Sequence, residues 1–125
     1  MKKRILVIDD EKAIRDVLGS FVESMGFTAG LAESGEEGLE MMKEGNFHLV
    51  LLDLHMPGMD GVETLLKLRR IDRDVPVYIV TGFYERFLKE LRVLREKGIA
   101  FEVLHKPVER NAVIQAIRGA LGIDD

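Results

Sequence analysis

The chain contains no cysteine and no tryptophan, and only three prolines among 125 residues. The lack of cysteine excludes a disulfide scaffold, Cys-ligated zinc, iron–sulfur clusters and thiol nucleophiles together. No apolar run approaches the ~20 residues that a membrane span needs. The basic opening Met1-Lys2-Lys3-Arg4 is followed by only a short apolar stretch, Ile5 to Ile8, which is too brief for the apolar core of a signal peptide. The expected location is therefore the cytoplasm, with no membrane partner. An excess of positive charge is also missing. There are 18 Lys+Arg against 22 Asp+Glu, a net charge of −4, so bulk charge offers no pull toward nucleic acid and no direct contact with it is expected. With 46% hydrophobic and 32% charged residues, the composition is that of an ordinary globular chain. Its length fits one domain, taken as 1–125.

What the chain does have is alternation. Short apolar runs at 4–8, 27–32, 48–52, 75–80 and 101–104 alternate with longer segments of helical periodicity. The first, third and fourth runs are almost continuous Val, Ile and Leu, as a strand reads when helices cover both of its faces. Segment 13–25 places Ile14, Val17, Leu18, Phe21, Val22 and Met25 along one helical face, and Gly26 follows where a left-handed cap would sit. Ser34 with Glu37 three residues on matches a capping box for a second helix that ends at Gly45. A third helix covers about 62–70. A fourth carries Phe87, Leu88, Leu91 and Leu94 as far as Gly98, and a fifth carries Val113, Ile114, Ile117, Ala120 and Leu121. Strand–helix alternation of this kind predicts an α/β fold, a doubly wound five-stranded parallel sheet with helices on both faces.

In an open parallel sheet, ligands bind beyond the carboxyl ends of the strands. The first predicted strand ends in Asp9-Asp10, the third in Asp53, the fourth in Thr81-Gly82 and the fifth near Lys106-Pro107. Three carboxylates drawn to one rim repel one another. Two unit charges ~4 Å apart cost about 4 kcal/mol at an effective dielectric of ~20. One lysine cannot neutralise three acids, so a divalent cation is the simplest remedy, and an all-oxygen donor set favours a hard ion such as Mg2+. An aspartate beside such an ion can act as a nucleophile toward phosphorus, with lysine and threonine stabilising phosphoryl oxygens.

Taken together, Asp9-Asp10-Glu11, the stretch Asp53-Leu54-His55-Met56-Pro57-Gly58-Met59-Asp60-Gly61, Thr81-Gly82 and Lys106-Pro107 resemble the motif set of the response regulator receiver domain of two-component signalling. The resemblance covers essentially the whole chain and is similar to the stand-alone chemotaxis type. It implies a flavodoxin-like sheet of order 2-1-3-4-5. It also implies a phosphorylation-activated switch rather than an enzyme. Asp53 would accept a phosphoryl group from a sensor histidine kinase or phosphotransfer protein. Asp10 and Asp53, with the backbone carbonyl of His55, would ligate Mg2+, and Asp9 would contribute through a bound water. Lys106 and Thr81 would contact the phosphoryl group, and the surface of the fourth helix, fifth strand and fifth helix would change to control a downstream protein or to form a homodimer. The Lys106–Pro107 bond would be cis.

Two features depart from the family's pattern. Val103 stands where an aromatic residue is common, and Phe101 lies on the same strand face by alternation. His55 and Phe83, two residues beyond Asp53 and Thr81, would flank the site and lengthen the phosphoryl lifetime by restricting water. Each residue also has a plainer reading. Asp9 and Asp10 suit an N-cap, Gly58 and Gly61 suit turns, and Met41, Met42, Met56 and Met59 suit core packing. His48, His55 and His105 lack metal-ligand spacing. The alternative functions are a metal-dependent phosphohydrolase with an Asp nucleophile, against which His55 stands where that class carries a second Asp, and a degenerate receiver acting only as a binding module.

Overall fold

In the computed structural model, which describes residues 2–82 and 84–123, five strands and five helices alternate along the chain. In order they are β1 (Arg4–Ile8), α1 (Lys12–Ser24), β2 (Thr28–Ala32), α2 (Gly35–Glu44), β3 (Leu49–Leu52), α3 (Gly61–Ile71), β4 (Val77–Thr81), α4 (Tyr84–Glu96), β5 (Glu102–His105) and α5 (Arg110–Leu121). Phe83, expected to flank the site, lies outside the described residues. The strands form one sheet of order β2-β1-β3-β4-β5, and every neighbouring pair is parallel. Fold class and strand order therefore agree with expectation. No helix among the described residues is long and apolar enough to cross a membrane.

The near-continuous apolar strands are explained by two cores. Successive strand residues point to opposite faces. Leu6, Ile8, Val50 and Leu52 accordingly enter one core with Leu39, Leu65, Leu68, Phe87, Leu91 and Leu94 from α2, α3 and α4. Ile5, Val7, Leu49 and Leu51 enter the other with Leu18, Val22, Val113 and Ile117 from α1 and α5. Each fully buried Leu or Ile contributes roughly 1.5–3 kcal/mol of transfer free energy, so both faces of the central strands are committed. Four of the six methionines pack as expected: Met42 and Met56 are buried in the first core, and Met41 and Met59 lie against it.

Local signals meet mixed outcomes. Gly26 follows α1 with φ +83°, the left-handed conformation that glycine adopts without steric cost. Ser34 Oγ accepts from the Glu37 amide at 3.1 Å, but Glu37 Oε1 reaches back to the Glu33 amide, one residue before the N-cap. The box is therefore offset by one. Neither Asp9 nor Asp10 is the N-cap of α1; that position is Glu11, without a side-chain bond. Gly58 is a turn residue at φ +76°, whereas Gly61 opens α3. A Cβ at Gly61 would overlap the Asp53 carbonyl oxygen and Leu54 Cα. The helix starts hard against the backbone that follows β3. Phe101 and Val103 do share the first core. Phe101, however, precedes β5, and its ring lies under the Arg95 guanidinium, 4.1 Å from the centroid.

Candidate functional site

Parallel register carries the strand ends to one rim. The Asp53 amide donates to Ile8 O at 2.9 Å, the Asp9 amide to Ala32 O at 3.1 Å and the Lys106 amide to Thr81 O at 3.0 Å. Each polar residue thus begins where its apolar strand stops. Asp9 is 1% exposed and Asp53 3%, while Asp10 is exposed. Thr81 closes β4 fully buried, and the peptide bond Lys106–Pro107 is cis.

The carboxylates of Asp9, Asp10 and Asp53 each place an oxygen within 4.8 Å of the others. Lys106 reaches into this group. Its Nζ lies 3.2 Å from Asp9 Oδ2, 3.5 Å from Asp53 Oδ1 and 3.9 Å from Glu11 Oε1. The His55 amide donates to Asp53 Oδ1 at 3.4 Å, which turns the loop after β3 back over the strand end. The His55 side chain is exposed. Of the other histidines, Nδ1 of His48 accepts from the Arg4 amide at 3.0 Å, well away from the acids in the fold.

One ammonium does not balance this crowd. Burial pushes the Asp53 carboxyl up from its ordinary 3.8 to about 7; the Asp9 charge adds to the rise and Lys106 opposes it. Burial also raises Asp9, against the pull of the Glu11 amide and the Lys106 charge. For Lys106, burial favours loss of the proton, but Asp53 and Asp9 outweigh it and hold the ammonium above its usual 10.5. The site therefore carries an excess of negative charge that a proton relieves near neutral pH.

A hard divalent cation would relieve it better. The donors are all oxygens, the set that Mg2+ prefers. Asp9 Oδ2 is buried, and among the described residues only the Lys106 ammonium, at 3.2 Å, meets it. A buried carboxylate oxygen in that condition is costly unless charge compensates it, and it fits a position facing a cation. The residues present therefore suit Mg2+.

The fold brings Asp9, Asp10, Asp53 and Lys106 together, as expected. Two arginines that no sequence signal marks also take part. Arg15 Nη1 donates to the Asp9 carbonyl at 2.8 Å. Arg69 is 9% exposed and donates to Val75 O at 2.6 Å and Ala100 O at 2.7 Å, joining α3 to the entries of β4 and β5. Neither belongs to a local motif; each is recognised only from what it touches.

A family model described as response regulator receiver domain matches residues 5–118. The uncharacterized transcriptional regulatory protein YkoG of Bacillus subtilis is 40% identical over 123 residues, covering 96% of this chain and 51% of that protein. Sporulation initiation phosphotransferase F of the same species is 31% identical over 118 residues, covering 94% and 93% respectively. The chain thus spans about half of the first relative and nearly all of the second. Among solved structures, a CheY-like response regulator receiver domain protein from Methanospirillum hungatei JF-1 superposes with a TM-score of 0.89 at 29% identity, covering 98% of this chain and 95% of that one.

Proposed function

The chain belongs to the response regulator receiver domain family, a family of signalling modules, and from that premise we propose that it is a phosphorylation-activated switch with Asp53 as the phosphoacceptor. The observation that carries this reading is the cluster of Asp9, Asp10 and Asp53 oxygens within 4.8 Å, with Lys106 Nζ 3.5 Å from Asp53 Oδ1.

In the proposed reaction an Asp53 carboxylate oxygen attacks the phosphorus of a phosphohistidine on a sensor histidine kinase or phosphotransfer protein. The O–P bond forms, the N–P bond breaks and the imidazole leaves with its electron pair. Such transfers run through a loose transition state, so placement and charge neutralisation supply most of the rate. Asp10, Asp53 and the His55 carbonyl would hold Mg2+, with Asp9 acting through a water; bound there, the ion supplies positive charge to the phosphoryl oxygens. Lys106, with Nζ 3.5 Å from Asp53 Oδ1, would pair with the same oxygens, and Thr81, at the end of the adjacent strand, would donate its hydroxyl to one of them. New hydrogen bonds to a group of about −2 charge can bias a two-state element. The surface of α4, β5 and α5 is proposed to change in response and to act on a separate downstream protein or on a second copy.

Treatment with a small acyl phosphate and Mg2+, read by intact mass, tests this. One phosphoryl group per chain is expected on the wild type and none on Asp53→Asn. Lys106→Ala should accept the group but lose the change in amide exchange across α4, β5 and α5. Equal labelling of Asp53→Asn would overturn the assignment. Steady release of free phosphate from a generic phosphate ester would favour a phosphohydrolase instead.

A further inference from the structure

Besides the Lys106 ammonium 3.2 Å from its Oδ2, three hydrogen bonds hold Asp9. Its amide donates to Ala32 O, its Oδ1 accepts the Glu11 amide at 2.9 Å, and its carbonyl accepts Arg15 Nη1 at 2.8 Å. The first bond belongs to the sheet edge and the second to a local turn. The third is different: a half-buried side chain from the first turn of α1 reaches back across the loop to the end of β1.

The loop is otherwise tied by the Arg15 amide, which donates to Glu11 O at 3.0 Å, and by the 3.9 Å approach of Lys106 Nζ to Glu11 Oε1. α1 begins at Lys12 behind an N-cap, Glu11, whose side chain makes no capping bond. Glu11 is exposed, and so is Asp10. The Arg15 bond therefore closes a ring from Asp9 through Asp10 and Glu11 to α1, and Asp10 sits inside it. A guanidinium is suited to this, because its planar fork loses less freedom per hydrogen bond than a flexible ammonium does.

We infer that Arg15 is a positioning residue. By holding the Asp9 carbonyl it keeps the carboxylates of Asp9 and Asp10 clustered against Asp53 before any cation arrives. The inference deepens the reading of the cluster as a Mg2+ site and rests on it. Arg15 touches no reacting atom. It fixes the backbone from which two acidic side chains project, so losing it leaves the ligands present but obliges the ion to order them.

The test uses Arg15→Met, which keeps the length and removes the donors, and Arg15→Lys, which restores one. Mg2+ affinity is measured by calorimetry on the unphosphorylated protein, and backbone amide exchange is followed without metal. Residues that orient metal ligands typically contribute roughly 10- to 100-fold in affinity, and a loss in that range is expected for Arg15→Met, with partial recovery in Arg15→Lys. Exchange at the Glu11 amide should accelerate while the amides of Leu18 and Val22, in the same helix, stay as slow as in the wild type. Should Arg15→Met fail to fold, the same two changes, smaller in size, are expected of Arg15→Lys, and their absence there overturns the inference. Unchanged Mg2+ affinity in Arg15→Met, or equal acceleration along all of α1, also overturns it. A wild type that binds no Mg2+ defeats the functional reading instead, and the exchange measurement still reports whether Arg15 holds the loop.

Discussion

Asp53→Asn removes one charge from a buried group of acids while keeping nearly the same shape, and its effect on stability is calculable. In the folded, metal-free protein the Asp53 carboxyl titrates at about 7, against an ordinary 3.8. Between these values the folded state keeps a proton that the unfolded chain has lost. Linkage then requires stability to fall as pH rises through that window, and to level off above it. At ~1.4 kcal/mol per pH unit, the ionised Asp53 costs roughly 4 kcal/mol once pH exceeds the folded value. The attraction to Lys106 at 3.5 Å already opposes this rise, so the figure is net of that contact. Asparagine has no charge to desolvate. The variant should therefore be more stable than the wild type by up to ~4 kcal/mol at about pH 8, and by only ~1–2 kcal/mol at about pH 5. Urea unfolding in chelator, followed by circular dichroism at both pH values, measures the two differences. Adding Mg2+ should narrow the gap at the higher pH, because a ligand bound only by the folded state stabilises it by mass action and Asp53 is one of its proposed donors. The reasoning is refuted if the variant gains the same amount at both pH values, or is the less stable protein at pH 8.

Two further outcomes follow from packing near the site and at the far end of the sheet. Gly61→Ala would push a methyl group into the Asp53 carbonyl and Leu54 Cα; a loss of about 1–3 kcal/mol or more is expected in urea, with slower acyl phosphate labelling because the end of β3 must shift, and a fully stable, fully labelled variant would show that the helix start has slack. Arg69→Met leaves the carbonyls of Val75 and Ala100 without the guanidinium; Val75 is buried whereas Ala100 is exposed and open to water, so at ~1–3 kcal/mol for the one buried acceptor, less the cost of desolvating the cation that is no longer there, the unfolding midpoint should fall, and an unchanged midpoint would mean water replaces the guanidinium at no cost.

Much of the architecture was legible because it is written in local pattern. The apolar runs at 4–8 and 48–52 and the helical spacing of Ile14, Leu18 and Val22 record which faces exclude water, and that preference acts residue by residue. Boundaries moved by a residue or two because hydrogen bonding to a neighbouring strand, rather than hydropathy, ends a strand. Thr81 and His105, polar by type, remain in β4 and β5 because they pair across the sheet. The offset capping box at Ser34 and the N-cap at Glu11 show the same limit: side-chain propensity marks a helix start without choosing which amide is satisfied.

By itself the amino-acid sequence determined that strands and helices would alternate around two apolar layers, and that Asp9, Asp10, Asp53, Thr81 and Lys106 would terminate strands, since both depend only on the order of residues along the chain. Tertiary structure decided how close those acids lie, that Lys106 bridges Asp9 and Asp53, and that burial holds a proton on Asp53 to about 7. It alone joined Arg15 to the Asp9 carbonyl and Arg69 to Ala100, 31 residues away. Desolvation and hydrogen bonding depend on distances in space, and those are set only when the sheet order and the packing of helices against it are complete.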